Sequence, residues 1–311
     1  MTWSSRPFET PADLRLMQAL TSDCWRIDWP APSAHPGDLD WWSRDSVSGV
    51  VPLIDRVRLW FESEADASDL IAWGWFGLPG DLDLLIRPDL RASRLVRAIV
   101  DWGAERAIAL AGPPASVPEA LQAFVPESQS DVIDQLRGLG CVAAAGGLMV
   151  GFTRRFEGWA APEPVLPAGF AVRSLTTADL EARVALGKLA FPNSRLTPER
   201  YEVARRSTLY RPALDQLVIA PDGSLAALAL GWLDPVNLAL ELEPVAVHPT
   251  WHRRGLGRAV CLATIRAGIA LGATVGLIFA EGHNDAALGL YHGLGYEITT
   301  RTRPYRRALT A

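Results

Sequence analysis

Two glutamates two positions apart, Glu241 and Glu243, precede a run of bases and glycines, His252-Arg253-Arg254-Gly255-Leu256-Gly257-Arg258. On a strand, alternation puts both carboxylates on one face, opposite Leu240 and Leu242. There they can attract a cation, or one of them can take its proton, and spacing does not choose between them. The basic run suits a pyrophosphate. N–H groups that open a helix lack intrahelical partners and sit at the positive end of its dipole. Gly255 and Gly257 remove the Cβ atoms that would hold phosphates away, and Arg253, Arg254 and Arg258 add charge. Twenty-seven residues beyond Gly257 stands Asn284, followed by Ala287, Tyr291, Gly295 and Tyr296.

These groups need a frame of strands and helices. Hydrophobic alternation and turn signals predict strands at 170–173, 216–220, 225–233 and 238–247, with an Asp222-Gly223 turn between the second and third. Helices are expected from Thr177-Ala178-Asp179 to about residue 190, over 198–207, over 257–271 and over 286–294. A strand at 273–280 and a final strand complete this half. Upstream, the same order is read: a helix at 11–25, strands at 56–62, 69–76 and 81–86, and a helix at 90–105. Shifted by 161 residues, Arg87-Pro88 falls on His248-Pro249, and Leu95-Val96-Arg97-Ala98-Ile99 falls on Leu256-Gly257-Arg258-Ala259-Val260. Shifted by 155, Gly138-Leu139-Gly140 falls on Gly293-Leu294-Gly295. The chain therefore reads as a tandem duplication, 1–155 and 168–311, joined at 156–167 by a linker carrying Gly158, Pro162, Pro164 and Pro167.

Composition narrows the function. At 311 residues two domains are expected, and a net charge of −5 argues against nonspecific nucleic-acid or polybasic membrane binding. Lys188 is the only lysine, consistent with the codon bias of a GC-rich bacterial genome. Cys24, Cys141 and Cys261 are odd in number and lack metal-binding spacing, so no metal is expected and a reducing cytoplasm fits. No signal core or apolar run of about 20 residues is present.

The strand ending in Val247-His248-Pro249, followed by His252 to Gly257, resembles the Q/R-x-x-G-x-G/A acyl-CoA signature of the GNAT acyltransferase superfamily, with His252 in place of the usual Gln or Arg. Asn284 to Tyr296 resembles its second signature, an Asn ahead of a helix bearing A-x-x-x-Y-x-x-x-G-F/Y. The resemblance covers 170–311 closely and 1–155 weakly. It implies an α+β fold in α/β three-layer form: two tandem GNAT folds, each a mixed, mostly antiparallel sheet flanked by helices, with a splayed strand pair in the C-terminal one. Acetyl-CoA is the implied co-substrate. Its pantetheine arm would pair with the backbone of Val245, Ala246 and Val247, and its phosphates would meet residues 252–258, near Asn284 and Ala287. Pro244, lacking an N–H, suits a bulge in that strand.

What the resemblance implies about roles follows. Tyr291 would protonate the departing thiolate, Glu241 or Glu243 would take the amine proton, and a backbone N–H within 245–247 would face the oxyanion. His248 and His252 read as a turn former and a phosphate-side donor, with Asp234 and His283 in reserve. The first half has Arg94 and Val96 where the glycines should be and Leu136 at the Tyr291 position, so it is expected to keep the fold without cofactor or activity. Its tryptophans read mainly as core. The stretch from His35 to Trp42 reads as loop, either walling an acceptor pocket or joining the halves. The expected activity is acetyl transfer to a primary amine of a small molecule by direct attack, in a cytoplasmic monomer or homodimer. An acyl-CoA sensor without turnover and a protein or peptide N-acetyltransferase are the alternatives.

Overall fold

A computed structural model describes residues 3–44, 51–63, 69–111 and 117–309. The first half runs β1 (Ser4–Pro7), α1 (Pro11–Asp28), α2 (Pro36–Arg44), α3 (Leu53–Arg56), β2 (Val57–Phe61), β3 (Leu70–Gly77), β4 (Asp81–Ile86), α4 (Leu95–Ala109), β5 (Ala120–Pro126), α5 (Ser130–Gly138), β6 (Val142–Ala143) and β7 (Met149–Arg155). The second runs β8 (Ala171–Ser174), α6 (Leu180–Ala190), α7 (Pro198–Ala204), β9 (Asp215–Ile219), β10 (Leu225–Asp234), β11 (Ala239–Val247), α8 (Leu256–Ala270), β12 (Val275–Glu281), α9 (Asp285–Gly293) and β13 (Glu297–Ala308). Apart from α3 and β6, the two lists match element for element. The repeat seen in short sequence matches thus extends along both halves.

Local chemistry explains the main boundaries. Thr10 and Asp13 form a reciprocal capping box at the start of α1, with Pro11 at its first position. Thr197 caps α7 by accepting the Arg200 N–H. All ten residues of β10 are buried, as befits a strand covered on both faces. The loop expected at 35–42 is instead the helix α2. Pro36-Gly37 reads as a turn in isolation, but Pro is also favoured in the first turn of a helix, where Asp38 adds a favourable charge.

The strands form one sheet in the order β1-β2-β3-β4-β5-β13-β7-β12-β11-β10-β9-β8, with β6 on β13. The halves exchange their last strands. β7 pairs antiparallel with β12 from Val275↔Arg155 to Glu281↔Met149, while β13 pairs with β5 from Thr302↔Pro126 to Ala308↔Ala120. β7 and β13 also pair with each other at the centre. The coil between the halves is strapped to α8, where Arg266 donates to the Ala161 carbonyl (2.5 Å) and pairs with Glu163.

Most first-half tryptophans are core, as expected, with Trp60, Trp73 and Trp75 fully buried, and Trp232 of the second half is fully buried too. Others join the halves. Trp25 packs with Ala239, Val275 and Leu277, and Trp41 meets Tyr201 and Trp232 at ring distances of 6.2 and 6.4 Å. Among the described residues, no helix is long and apolar enough to cross a membrane.

Candidate active site

Strands β11 and β12 run parallel for only three pairs, Ala239↔Val275, Leu240↔Gly276 and Glu241↔Leu277. Beyond Glu241 they part, and each keeps only its outer neighbour, β10 or β7. The β10–β11 register slips between Ala229↔Val245 and Gly231↔Leu242, so Glu243 and Pro244 together oppose Leu230. This is the bulge expected at Pro244. It also switches the strand's faces. Leu240 and Leu242 share a core with α8 residues Cys261, Leu262 and Ile265, and after the bulge Val245 and Val247 join α8 residues Leu256 and Val260. Ala246 packs on the opposite side with Leu180, Val184 and Tyr201 of α6 and α7. Glu241 and Glu243 belong to that same side.

The open edge of β11 carries free backbone groups. His248 donates its N–H to Ala226 on β10 (2.8 Å). Alternation then turns the Ala246 N–H to β10 as well, and leaves those of Val245 and Val247 toward the gap. His252 occupies one neighbouring acceptor, with Nε2 3.1 Å from the Val247 carbonyl oxygen. His248 accepts the Thr250 N–H as a turn former.

Between this strand and α8 the backbone turns left-handed twice, at Arg253 (φ 61°) and Gly255 (φ 78°). Alternating hand of this kind turns successive N–H groups into one concavity suited to an anion. Residues 252–255 are exposed, Leu256 is buried as the first helical residue, and Arg254 lies 4.9 Å from the Trp251 ring. Arg258 hydrogen-bonds the Gly293 carbonyl, tying α8 to α9. The two glycines serve different ends. A Cβ at Gly255 would meet open space, so its φ is what matters, whereas one at Gly257 would come within 3.3 Å of Val247 and 3.4 Å of Leu290. A residue with a side chain costs about 1–2 kcal/mol in the left-handed region. Gly255→Ala should relax in the free chain and re-form the concavity only on binding. Calorimetric titration with acetyl-CoA is expected to show roughly 5- to 30-fold weaker affinity.

Across the gap, Asn284 caps α9 by accepting the Ala287 N–H (3.1 Å). Tyr291, 6 % exposed, packs edge-on to Phe152 of β7 at 5.6 Å, so the exchanged strand supplies part of its wall. Burial first, then Cys261 and the Glu243 carboxylate, push its phenol well above the ordinary range.

On the acceptor side the first half reaches in. Carboxylate oxygens of Asp38 on α2, Glu241 and Glu243 all lie within 4.8 Å of one another. Glu241 is 1 % exposed, and its carboxyl sits against that of Asp38. Burial, then the charge of Asp38, raises the carboxyls of both Glu241 and Glu243 well above the carboxylate range, with Glu243 adding to the effect on Glu241. His35 does not neutralise the group, although its Nδ1 stands 3.4 Å from Glu241. Nδ1 accepts the Gly37 N–H (3.0 Å), and Nε2 faces the Ala239 carbonyl at 3.1 Å, which selects the neutral Nε2–H tautomer. Burial lowers the pKa of this histidine in the same direction. Helix α2 is held close here: a Cβ on Gly37 would lie 2.3 Å from Trp232 Cβ, and Asp40 accepts the Leu209 N–H (3.0 Å).

The two glutamates and Tyr291 thus come to one cleft with the β11 edge, and Asp38 joins them from the 35–42 stretch, which the sequence offers either as an acceptor-pocket wall or as a join between the halves. No spacing signal announces it, since His35 and Ala239 are 204 positions apart. Asp234 is a turn residue, binding the Val236 N–H and Asn237, and His283 lies out at the surface beside Glu281. In the first half β4 and β5 also part after three pairs, the last being Asp83↔Phe124. By register Asp83 corresponds to Glu241. Before α4, however, Arg94 is right-handed (φ −67°), and Arg91 there is bound to Asp28 at 2.5 Å.

A parallel pair that splays beside a bulge, with a helix start suited to an anion next to it, fits an acyl-CoA-dependent acyltransferase. Residues 184–296 match the Acetyltransferase (GNAT) family, and over its whole length the chain is similar to tandem GNAT proteins. It is 28 % identical to the mycothiol acetyltransferase of Clavibacter michiganensis over 308 residues, covering 90 % of this chain and 93 % of that one. Among solved structures it resembles a GCN5-related N-acetyltransferase from Sphaerobacter thermophilus (TM-score 0.68, 19 % identity, 99 % of this chain and 96 % of that one). It also resembles a tandem GNAT protein of the clavulanic acid biosynthesis pathway (TM-score 0.65, 13 % identity, 100 % and 99 %). The exposed 252–255 concavity, the open N–H groups of Val245 and Val247 and the close approach at Gly257 fit the acetyl-CoA that this family uses.

Proposed function

We propose that the chain transfers acetyl from acetyl-CoA to a primary amine of a small molecule, by direct attack within a ternary complex. The observation that carries this is the cleft itself: the open β11 edge, Tyr291 and a glutamate pair converge where β11 and β12 part. Bound acetyl-CoA supplies an activated acyl group as a thioester. Residues 252–258, with the N–H groups of Val245 and Val247, hold it, and one of those N–H groups faces the acyl oxygen as negative charge develops there.

An alkylammonium with a pKa of about 10 is not a nucleophile at neutral pH, so a base must take its proton. Glu243 suits this better than Glu241. It is half-buried, whereas Glu241 is sealed, and its raised pKa brings a carboxylate closer to the working pH. Tyr291 keeps its proton at neutral pH and gives it to the departing sulfur. The right-handed Arg94 and the Arg91–Asp28 pair support a single acyl-CoA site per chain. The likeness to a mycothiol acetyltransferase, and the covering of the acceptor side by α2, favour a small molecule over a protein chain. The test is a panel of small amines and peptides scored for release of free CoA thiol. Steady release with a small amine is expected, while acetyl-CoA binding with no thiol release from any amine would leave a sensor instead.

A further inference from the structure

We propose that the linker between the halves is part of the co-substrate site: with the start of α8 it encloses a cavity that seats the adenosine 3′-phosphate end of acetyl-CoA. This rests on the acetyl-CoA reading above and gives residues 162–167 a ligand class, a purine nucleoside bearing a phosphate.

Three observations carry it. A cavity of about 440 Å³ lies between Pro162, Val165, Leu166 and Pro167 of the linker and Ala259 and Leu262 of α8. Its volume falls within the range of small-molecule sites, and apolar walls of this kind suit the flat face of a purine. Val165, at its edge, is 83 % exposed, more than any other large apolar side chain among the described residues. A single exposed valine is ordinary on a surface. Here a base lying in the cavity would take it out of water. Finally, Arg254 and Arg258 stand at the same wall. Arg254 lies against the Trp251 ring and makes no ion pair among the described residues, while Arg258 gives a hydrogen bond to the Gly293 carbonyl and keeps its charge unopposed. The carboxylate lining the cavity, Glu163, is paired with Arg266, so the local charge favours a phosphate.

The place of the cavity fits the path of the molecule. Arg254 and Gly255 belong both to the anion-binding concavity and to the cavity wall. Gly257 faces Val247 and Leu290 instead, and helical spacing sets it across α8 from residues 255, 258, 259 and 262. A pyrophosphate at the helix start therefore divides the ligand. The pantetheine arm leaves on the Val247 side toward the β11 edge, and the nucleoside leaves on the linker side. The linker is held ready for it. Pro162, Pro164 and Pro167 restrict its backbone, Arg266 ties down Ala161 and Glu163, and Leu166 packs with Leu256 and Val260. A wall fixed in advance costs little ordering when the ligand arrives.

The experiment is calorimetric titration of the full-length chain with acetyl-CoA, 3′-dephospho-acetyl-CoA and acetyl-4′-phosphopantetheine. Loss of the 3′-phosphate should weaken binding by roughly 10-fold, and loss of the whole nucleoside by roughly 10-fold more. Val165→Ser, at a side chain too exposed to disturb the fold, should weaken acetyl-CoA by roughly 3- to 10-fold and leave acetyl-4′-phosphopantetheine unchanged. Arg254→Ala should erase most of the preference for acetyl-CoA over its 3′-dephospho form. Adenosine 3′,5′-bisphosphate alone should bind and be displaced by acetyl-CoA. A Val165→Ser effect that is absent, or equal for the two thioesters, would overturn the assignment. So would bisphosphate binding that acetyl-CoA leaves untouched, which would mark a separate nucleotide site. None of these readings needs turnover. The expected pattern without thiol release from any amine leaves the nucleoside seat standing while the acyl-transfer reading falls. Steady thiol release with an acetyl-CoA affinity indifferent to Val165→Ser overturns the seat alone, and failure of acetyl-CoA to bind overturns both.

Discussion

Tyr291→Phe is expected to lower kcat by about 10²–10⁴-fold while leaving acetyl-CoA affinity nearly unchanged. The substitution removes one oxygen and keeps the ring, so its edge-on contact with Phe152 at 5.6 Å survives and the cleft keeps its shape. The loss then falls on the protonation of the departing sulfur. Thiol-release kinetics give kcat, and calorimetry gives the affinity. A poorly protonated leaving group also predicts a graded rescue, with the deficit smaller for acyl thioesters whose thiol is more acidic. Full activity of the variant with every acceptor would sink the acid assignment.

The second large effect concerns Glu243. Glu243→Gln should cost about 10²–10⁴-fold in kcat/KM for an aliphatic amine. Its pH profile is as telling as the magnitude. A base works deprotonated, so wild-type activity should rise as pH increases through the raised pKa of Glu243, at a pH above the ordinary glutamate value of about 4.3. The Gln variant should lack that limb. Glu241→Gln provides the contrast: it should keep the limb, because burial and then Asp38, not Glu241, raise the Glu243 carboxyl. If Glu241→Gln abolished the limb and Glu243→Gln did not, the two roles would be reversed.

Much of this cleft was legible in the sequence because its chemistry is local. Gly255 and Gly257, the bases beside them and Pro244 are close along the chain, and each has a backbone reason to be where it is: a left-handed turn, a close approach to Val247, a bulge. Strands with clear alternation were found to within a few residues, β4 and β11 among them. Strand β5 was missed although Leu121, Ala123 and Val125 alternate inward, a signal that period-two reading could have caught. Asp38 could not be found in this way. Its meaning lies in a contact between α2 and β11, and its own neighbourhood, Pro36-Gly37-Asp38, reads as an ordinary turn. The partners of β7 and β13 were invisible for a related reason, since nothing in a strand's own residues says which of two similar edges it will join.

That exchange has a consequence for how the protein is made. As the chain leaves the ribosome, β5 emerges well before its neighbour β13 has been synthesised, and β7 waits for both β12 and β13. Until Glu297–Ala308 has appeared, the first half therefore carries an unfinished sheet edge, the kind of surface that pairs with whatever strand it meets first. The duplicated halves cannot mature one after the other, as beads on a string would. The later copy closes the earlier one, and the working cleft is sealed only in the same event.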